Sequence, residues 1–547
     1  MAPPSLPCTG NDARGTFLRK TKIVCTVGPC SSSARRLGEL LDAGMSVARF
    51  NMSHGTHVSH ANTLRNLRCA LAHRPLVACS ALLDTRGPEI RSGMLRNHLP
   101  MPLRRNQHLR IISDYTYIGS AESQSVACSY AHLAAALQPG QRILIADGNI
   151  QLTVLECRPR LHAERCALSG LPPRVQHCGS ILCRVDTNCV LLEHKNMFIP
   201  GVNVNLPTLT EKDRRDIQFA VDEGFDILSG SLIRTSDDVS EIRRAMGHRG
   251  SLIRVHAKVE SSLAVKNFRA VLHVADGVHV SRGDLGMEMN LEKVFLAQKM
   301  VVCEANAAGK PVVVATQVLH SMLSRPHPSS AECNDIANAV IDGADCVMLS
   351  GETARGMFPA RTVCIMDRVC CEAERCLAHR PVFGQTSLAV GAAEAIASSA
   401  VELAVNVGAQ MIVVVDDAGM VGQLVSKYRP EVPVLVFTRH PTVARQITGV
   451  CQGIYSVITR SSCERPRTSR PLRFQRTQHT PLACSLPIAL AGQWVGPCDT
   501  IILVASANHT PNRDVRFIND KASPYASVHQ VAAHHMGVFF GKLGAAV

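Results

Sequence analysis

The chain has 547 residues, which is too many for a single hydrophobic core and predicts several domains. Its formal net charge of +14 suits nucleic acid, an anionic membrane surface or anionic small substrates, and composition alone does not choose among them. With one Trp, six Tyr and 14 Phe the chain offers little for a base-stacking surface, so we expect no nucleic-acid partner.

The 22 cysteines are scattered through apparent strands and helices, without the paired CxxC spacing of a zinc site. Buried thiols in a reducing compartment explain this distribution. No apolar run reaches the roughly 18 residues that span a bilayer, and residues 1–18 form a lead without signal or transit composition. These features predict a cytoplasmic protein with no membrane partner.

Beyond the lead, short apolar runs rich in β-branched residues alternate with helical periodicity. Eight runs predict strands, at residues 22–27, 46–53, 76–84, 226–233, 252–259, 276–282, 311–317 and 344–350. Helical patterns such as 34–43, 293–308 and 331–342 lie between them. Repeated strand–helix units with strands apolar on both faces predict a parallel sheet, and eight units predict an α/β fold of the (β/α)8 TIM-barrel type over 19–87 and 202–380.

A long stretch, 88–201, separates the third predicted strand from the fourth. Within it, alternating runs bounded by turn residues occur at 108–112, 142–145, 150–155, 181–185 and 189–192. This pattern predicts a small inserted antiparallel β domain, a β-barrel lid. Because the insertion leaves from the end of a strand, we expect it to lie over the C-terminal mouth of the barrel.

The remaining residues, 381–547, predict a C-terminal α/β domain. It would contain a helix at 392–407 and buried strands at 411–415, 434–437 and 500–505. Residues 460–480 hold six arginines, which are typical of a solvated loop or, as an alternative, of a polyanion contact.

Two stretches concentrate charged groups, RVHAKVE at 254–260 and VSRGDLGMEM at 280–289. Strand alternation places His256, Lys258 and Glu260 on one face. Asp284 follows a glycine at a turn into a predicted helix. Mg²⁺ favours oxygen ligands and uses few protein carboxylates, so Glu260 and Asp284 predict a magnesium site beside Lys258. For one such pair alone, a surface salt bridge is the alternative.

Small polar and charged residues follow most of the other predicted strands as well. The ring comprises Arg49, Asn51, Ser53, Asp84, Thr85, Thr316, Ser350 and Glu352. In a barrel of this type the chemistry lies at the C-terminal ends of the strands. Polar groups at so many strand exits therefore predict an active site there.

Several long motifs resemble the pyruvate kinase family. They include KTKIVCTVGP, VARFNMSHG, LLDTRGPEIRSG, NLPTLTEKD, SRGDLGMEM, VVVATQVLHSM and ADCVMLSGETARG. The resemblance implies a barrel with a β domain inserted after strand three and a C-terminal α/β domain. It also implies transfer of the phosphoryl group of phosphoenolpyruvate to ADP, giving pyruvate and ATP, with Mg²⁺ and K⁺ as cofactors and a homotetrameric assembly.

The resemblance assigns roles residue by residue. Glu260 and Asp284 would hold Mg²⁺. Lys258 and Arg49 would bind the phosphoryl group. The substrate carboxylate would bind Gly283, Asp284 and Thr316. The K⁺ ligands would be Asn51, Ser53, Asp84 and Thr85, with Glu89 as the acidic residue that accompanies K⁺ dependence. The nucleotide would contact Asn51, His54, Arg91, Asp147 and Lys195. Candidates for the proton relay are Thr316, Ser350 and Glu352.

A few positions depart from the family pattern. His256 replaces an aliphatic residue, and we expect a buried histidine with its hydrogen bonds satisfied. Ser330 replaces an arginine near the subunit contact, which would weaken assembly. At the family's effector loop stands DDAGMVG, 416–422, whose two carboxylates repel a phosphate. We therefore predict no activation by fructose bisphosphate.

Two other functions are alternatives for this sequence. Related Mg²⁺ barrels cleave or form C–C bonds beside a carboxylate, but they lack the inserted domain and the RFNMSHG motif. A catalytically impaired paralogue with a regulatory or polyanion-binding role is the second alternative.

Overall fold

The structure is a computed structural model, which describes residues 18–74, 77–159, 179–202, 204–377, 391–459, 500–506, 525–533 and 536–543. It begins with β1 (Lys22–Thr26), α1 (Ala34–Asp42), β2 (Val47–Asn51), α2 (His57–Ala72) and β3 (Ser80–Asp84). Both helices start at hydroxyl caps: Ser33 accepts the N–H of Arg36, and Thr56 accepts that of Ser59. The predicted lead, 1–18, lies outside the described residues apart from its last residue.

The inserted domain follows β3. Its elements are β4 (Ile90–Arg91), β5 (Met101–Leu103), β6 (His108–Ile112), β7 (Ser125–Ala127), α3 (Leu133–Ala136), β8 (Arg142–Ile145), β9 (Ile150–Arg158), β10 (Ser180–Val185), β11 (Cys189–Leu191) and β12 (Asn196–Phe198). Seven strands form one sheet in the order β4-β12-β8-β9-β10-β6-β7, and β5 pairs with β11. The two ends of that sheet meet at an antiparallel bridge between Ser92 and Cys128.

Most strand pairs in this domain are antiparallel, as predicted, but β6 and β7 are parallel. The purely antiparallel prediction is wrong for that pair. The connection between β6 and β7 is long enough to return the chain to the N-terminal end of β6, which a parallel pairing requires. A two-residue hairpin is too short for this.

The barrel then resumes. Its remaining elements are α4 (Glu211–Glu223), β13 (Ile227–Gly230), α5 (Ser236–Met246), β14 (Arg254–Val259), α6 (Ser262–Lys266), α7 (Phe268–Val274), β15 (Gly277–Ser281), α8 (Arg282–Glu288), α9 (Leu291–Ala307), β16 (Val312–Ala315), α10 (Ser330–Asp342), β17 (Cys346–Leu349), α11 (Gly351–Ala354) and α12 (Pro359–Leu377). Short 3₁₀ turns occur at Arg96–His98, His248–Gly250 and His320–Leu323.

Eight parallel strands close the barrel in the order β1-β17-β16-β15-β14-β13-β3-β2, which confirms the predicted (β/α)8 fold. The predicted strands overrun the observed ones at most ends. Beyond β13, for example, the hydroxyl of Ser231 donates to the carbonyl of Thr85, and the N–H of Leu232 donates to Glu260. The polar residues after each strand therefore leave the sheet to bond with side chains and neighbouring turns.

Alternation along β14 separates two environments. Val255, Ala257 and Val259 pack in the hydrophobic core between strands and helices. His256 and Lys258, on the opposite face of the strand, are buried inside the barrel. The barrel interior is therefore polar towards its C-terminal end, where the predicted site residues lie.

The C-terminal domain closes the other end. Its elements are α13 (Ala392–Asn406), β18 (Met411–Val415), α14 (Met420–Lys427), β19 (Val434–Thr438), α15 (Pro441–Val450), β20 (Ile454–Ile458), β21 (Thr500–Ser506), β22 (Tyr525–Ala533) and β23 (Met536–Leu543). The sheet order is β20-β19-β18-β21-β23-β22, with β22 and β23 antiparallel. The sequence predicted three of these strands, and the α/β class is confirmed. The basic run 460–480 and the predicted boundary at 380/381 lie outside the described residues.

Ion pairs tie this domain to the bottom of the barrel. Arg445 bonds Asp226 at 2.8 Å, and Arg429 bonds Asp345. In the described part of the chain, no helix is both long and apolar enough to cross a membrane.

Candidate active site

Lys258 lies at the C-terminal end of β14, with only 11% of its side chain exposed. Its Nζ is 2.8 Å from Oε1 of Glu260, 2.9 Å from Oγ of Ser231 and 3.4 Å from Oδ1 of Asp84. The ammonium group is therefore surrounded by oxygen atoms at the mouth of the barrel.

The charges of this cluster depend on one another. Burial acts to lower the pKa of Lys258, but Asp84 and Glu260 raise it well above its ordinary value. Burial likewise acts to raise the pKa of Asp84, yet Lys258 and Arg49 hold it below its ordinary value. Both groups are consequently charged at neutral pH, although both are buried.

Asp284, near the start of α8, lies close to Glu260. Burial and the neighbouring carboxylate of Glu260 raise the pKa of Asp284 to about 8. Two carboxylates in this arrangement need a shared proton or a cation between them. Their oxygen donors fit Mg²⁺, which commonly takes one or two carboxylates and completes its shell with water and phosphate oxygens. Within the described residues, no group of three or more His, Cys, Asp or Glu side chains could hold a metal.

Arg49 and Asp84 join two neighbouring strands. Nε of Arg49 lies 2.7 Å from Oδ2 of Asp84, and its Nη1 lies 2.8 Å from the hydroxyl of Thr26. The register of β2 and β3 sets Asn51 opposite Asp84. The predicted K⁺ ligands Asn51, Ser53, Asp84 and Thr85 therefore gather at one corner of the mouth.

Their oxygens are engaged within the chain. Oδ1 of Asn51 accepts the N–H of Ser53 at 3.0 Å, and Oγ1 of Thr85 accepts the N–H of Ser231 at 3.1 Å. Amide, hydroxyl and carboxylate oxygens form a donor set that fits a large monovalent cation.

Thr316 follows β16 in an uncommon backbone conformation. Its φ is 69° and that of Gln317 is 54°, in the left-handed region. A β-branched residue rarely adopts this region, and such residues each cost about 1–3 kcal/mol. Oγ1 of Thr316 accepts the N–H of Gly283 at 2.8 Å, so the turn meets the start of α8.

The other proton-relay candidates follow β17. Glu352 is buried, and its Oε2 accepts the N–H of Ser350 at 2.7 Å. Both residues border the same mouth, because β17 lies between β16 and β1 in the barrel.

The lid carries three of the five residues that the sequence predicts to contact the nucleotide, Arg91, Asp147 and Lys195. Arg91 donates to Oε2 of Glu89 at 2.7 Å and to the carbonyl of His194 at 3.0 Å. The backbone N–H of Lys195 donates to Oγ of Ser92, and Oδ1 of Asp147 accepts an N–H of Asn196. These contacts fix the strand ends that carry Arg91, Asp147 and Lys195.

Two observations link the lid with the barrel. Partial burial lowers the pKa of His54. The charges of Arg91 on the lid and of Arg355 and Arg49 on the barrel lower it further. A Cβ atom on Gly148 would lie 3.1 Å from the sulfur of Met287 in α8. The lid turn therefore contacts the helix that carries Asp284.

Sequence reasoning missed three residues here. Ser231 bonds Lys258 and Asp84, but it lies in a turn with no local motif. Arg355 adds positive charge near His54. His279 is hydrogen-bonded to His256, and alternation along β15 together with the register beside Lys258 could have indicated it.

His256 itself is only partly as predicted. It is buried, and its Nδ1 is bonded, but its Nε2 has no hydrogen-bond partner among the described residues. The prediction that both ring nitrogens of His256 are hydrogen-bonded is therefore wrong. The contact with His279 uses only one nitrogen of each ring.

Comparison with known proteins agrees with this architecture. Residues 18–363 match the family described as pyruvate kinase, barrel domain, and 394–512 match pyruvate kinase, alpha/beta domain. A pyruvate kinase of Eimeria tenella is 42% identical over 78% of each chain. A cytosolic isozyme of pyruvate kinase from Solanum tuberosum is 45% identical over 78% of this chain and 80% of its own.

A solved structure extends the similarity to three dimensions. The crystal structure of a pyruvate kinase from Cryptosporidium parvum aligns with a TM-score of 0.77 at 37% identity, covering 89% of this chain and 93% of that one. Since the sequence match spans most of the chain and the fold agrees, the chain belongs to the pyruvate kinase family of phosphotransferases.

Proposed function

We propose that the chain transfers the phosphoryl group of phosphoenolpyruvate to ADP at the C-terminal mouth of its barrel, with Lys258, Glu260 and Asp284 at the centre. The observation that carries this proposal is the buried ammonium of Lys258, 2.8 Å from Glu260 and beside Asp84. A fixed positive charge in a buried site stabilises a phosphoryl group in transfer far better than it would in water.

Glu260 and Asp284 would hold Mg²⁺, and the raised pKa of Asp284, caused by burial and by the neighbouring carboxylate of Glu260, supports this role. When bound, Mg²⁺ supplies Lewis-acid stabilisation of the enolate and phosphoryl oxygens. The N–H of Leu232 donates to Oε2 of Glu260 at 2.6 Å, and Lys258 contacts Oε1. These bonds fix the orientation of the Glu260 carboxylate.

Lys258 and Arg49 would bind the phosphoryl oxygens. Asp84 orients Arg49, whose guanidinium is hydrogen-bonded to that carboxylate. The substrate carboxylate would bind the backbone amides of Gly283 and Asp284 and the hydroxyl of Thr316. The Gly283 amide donates to that hydroxyl at 2.8 Å, so the two proposed ligands of the carboxylate lie together.

After transfer, the enolate needs a proton on carbon. Thr316, Ser350 and Glu352 are the candidates, through a hydroxyl or a relay of water. The buried Glu352 accepts the backbone N–H of Ser350, so it can hold this segment in place.

Nucleotide phosphates would be bound by Arg91 and Lys195 of the lid, with Asn51, His54 and Asp147 nearby. Partial burial and, after it, the charges of three arginines lower the pKa of His54, and that convergence of positive charge suits a polyphosphate. Lid closure would exclude water from the transfer.

K⁺ would bind beside Asp84, with Asn51, Ser53 and Thr85 as further ligands. Glu89 would accompany the K⁺ site through its bond to Arg91 of the lid, rather than as a ligand of the ion. Such a cation would balance the carboxylate of Asp84 and the phosphoryl group.

We further propose that fructose bisphosphate does not activate the enzyme. The carboxylate of Asp416 accepts the N–H groups of Ala418, Val421 and Gly422, at 3.0, 2.6 and 3.2 Å. Asp417 bonds Arg439 at 2.7 Å. The N-terminus of α14 is thus neutralised by a carboxylate of the chain itself, which disfavours a phosphate there.

The assembly would be a homotetramer in the cytoplasm. Leu291, Phe295 and Leu296 on α9 are more than half exposed, and such an apolar patch supports self-association. Ser330, in place of an arginine, would weaken one contact. Relatives from potato and soybean are named cytosolic isozymes of pyruvate kinase.

Steady-state formation of pyruvate from phosphoenolpyruvate and ADP tests this proposal. Turnover should require Mg²⁺ and should increase when K⁺ replaces a large organic cation. Absence of pyruvate formation with both ions present would favour the impaired-paralogue alternative instead.

A further inference from the structure

Arg282, the first residue of α8, has four polar contacts although only 12% of its side chain is exposed. Its Nη2 lies 2.8 Å from the carbonyl oxygen of Thr316 and 3.3 Å from that of Gln317, and its Nε lies 3.3 Å from the former. Its Nη1 lies 2.6 Å from Oδ1 of Asp335 on α10. One guanidinium therefore connects β16, α8 and α10.

The two carbonyls belong to the strained turn. Thr316 and Gln317 both have a positive φ, of 69° and 54°, and the carbonyl oxygens of both residues lie on the side of the turn that faces Arg282. The planar fork of Arg282 lies on that side and binds both oxygens. These bonds stabilise a conformation that neither residue favours on its own.

Thr316 is held from a second direction as well. The N–H of Gly283, the residue after Arg282, donates to Oγ1 of Thr316 at 2.8 Å. Consecutive residues of α8 thus fix the backbone and the hydroxyl of Thr316. A shift in the Arg282 side chain would move both relative to Asp284, two residues further along.

We propose that Arg282 is a positioning residue for the phosphoryl-transfer and protonation steps: it holds Thr316 in its left-handed turn, and Asp335 orients the guanidinium. The inference rests on the role of Thr316 in the proposed function. Arg282 does not itself contact substrate, because its side chain bonds the turn and α10.

The test uses full-length Arg282→Lys, since a single ammonium cannot bridge two carbonyls and Asp335 in this geometry. We expect kcat to fall about 10-fold or more, with KM for ADP and the melting temperature little changed. Adding Gln317→Gly should restore most of the lost kcat, relative to Gln317→Gly alone, because glycine adopts positive φ without support.

Arg269→Lys is the matched control. Arg269 also bonds a carboxylate of a neighbouring helix, Glu304 at 3.1 Å, but 87% of its side chain is exposed, and we expect kcat to be unchanged. Thr316→Ala, assayed in parallel, should lose activity if Thr316 has its proposed role.

Loss of kcat in Arg282→Lys together with rescue by Gln317→Gly supports the inference. Loss without rescue overturns it, because Arg282 then acts by another route. Full kcat in Arg282→Lys with low kcat in Thr316→Ala overturns it while the proposed function stands. Full kcat in Thr316→Ala contradicts both the role of Thr316 and the inference built on it.

Discussion

The imidazole rings of His256 and His279 are hydrogen-bonded to each other inside the barrel, with Nδ1 of His256 3.1 Å from Nε2 of His279. Both rings are fully buried. The register of β14 and β15 sets His279 beside Lys258. The two histidines therefore form a polar layer inside the barrel, next to the proposed phosphoryl site. Nε2 of His256 and Nδ1 of His279 have no hydrogen-bond partner among the described residues.

This pair predicts acid sensitivity. Burial lowers the pKa of His256 to about 4, and burial and His256 lower that of His279 well below its ordinary value. Between about pH 6.5 and pH 4 the unfolded chain binds protons that the folded chain does not, so stability falls as pH falls. His256 alone accounts for on the order of 3 kcal/mol over that range.

Urea unfolding at a series of pH values measures this effect. His256→Ile/His279→Met, which keeps side-chain volume close to that of the pair, should flatten the decline below pH 6.5. His108→Met, at an exposed histidine, is the control and should follow the parent protein. Equal acid sensitivity in the paired variant and the parent would contradict the prediction.

The His256 ring also explains Gly277. A Cβ atom at Gly277 would lie 2.6 Å from Nε2 of His256 and within 2.9 Å of two further ring atoms. We expect Gly277→Ala to lower the free energy of unfolding by about 1–3 kcal/mol, because the ring has to shift in a packed interior. Adding His256→Ala should recover part of that loss through relief of the clash. Additive losses in the double variant would show that the two positions are not coupled.

Magnesium binding should strengthen with pH. Because burial and the charge of Glu260 raise the pKa of Asp284 to about 8, Mg²⁺ must displace a proton below that pH. We expect the Kd for Mg²⁺, measured by calorimetry without substrate, to weaken about 10-fold per unit as pH falls below 8. A pH-independent Kd over this range would contradict the shared Glu260–Asp284 site.

Glu260→Gln removes the repelling carboxylate and one ligand. Binding should become weaker, and its dependence on pH should move only partly towards lower pH, because burial still raises the pKa of Asp284 after the charge of Glu260 is removed. Asp237→Asn, at an exposed acid on α5, should leave the Mg²⁺ titration unchanged.

The effector prediction concerns Asp416. Because its carboxylate occupies the N–H groups at the start of α14, fructose bisphosphate should leave the half-saturating concentration of phosphoenolpyruvate unchanged. A clear decrease in that concentration on adding fructose bisphosphate would show the prediction to be wrong. Asp416→Ala should in addition lower stability by about 1 kcal/mol through loss of the cap.

Local pattern was enough to predict the architecture. Apolar runs on both faces indicated parallel strands, and the polar groups after them indicated the mouth, because both signals repeat in eight units. The sequence pattern places the strand ends too far along the chain, since Ser231 bonds the carbonyl of Thr85 and Leu232 bonds the carboxylate of Glu260, and no local pattern reveals these bonds.

Contacts across strands were harder to predict. The sequence predicts that His256 is buried, but its partner lies on the next strand, and pairing two histidines requires the register of β14 and β15. The left-handed turn at Thr316 and Gln317 has no glycine or asparagine to indicate it. It depends on Arg282, which is distant in sequence, and only the folded arrangement brings the two together.

The central proposal is that Lys258 stabilises the phosphoryl group in transfer. The most direct measurement compares pyruvate formation from phosphoenolpyruvate and ADP, with Mg²⁺ and K⁺, by the parent protein, Lys258→Met and Lys266→Met. We expect Lys258→Met to lose about 100-fold or more of kcat, while Lys266→Met, at an exposed lysine in the same region, retains it. Undiminished turnover by Lys258→Met would contradict the proposal.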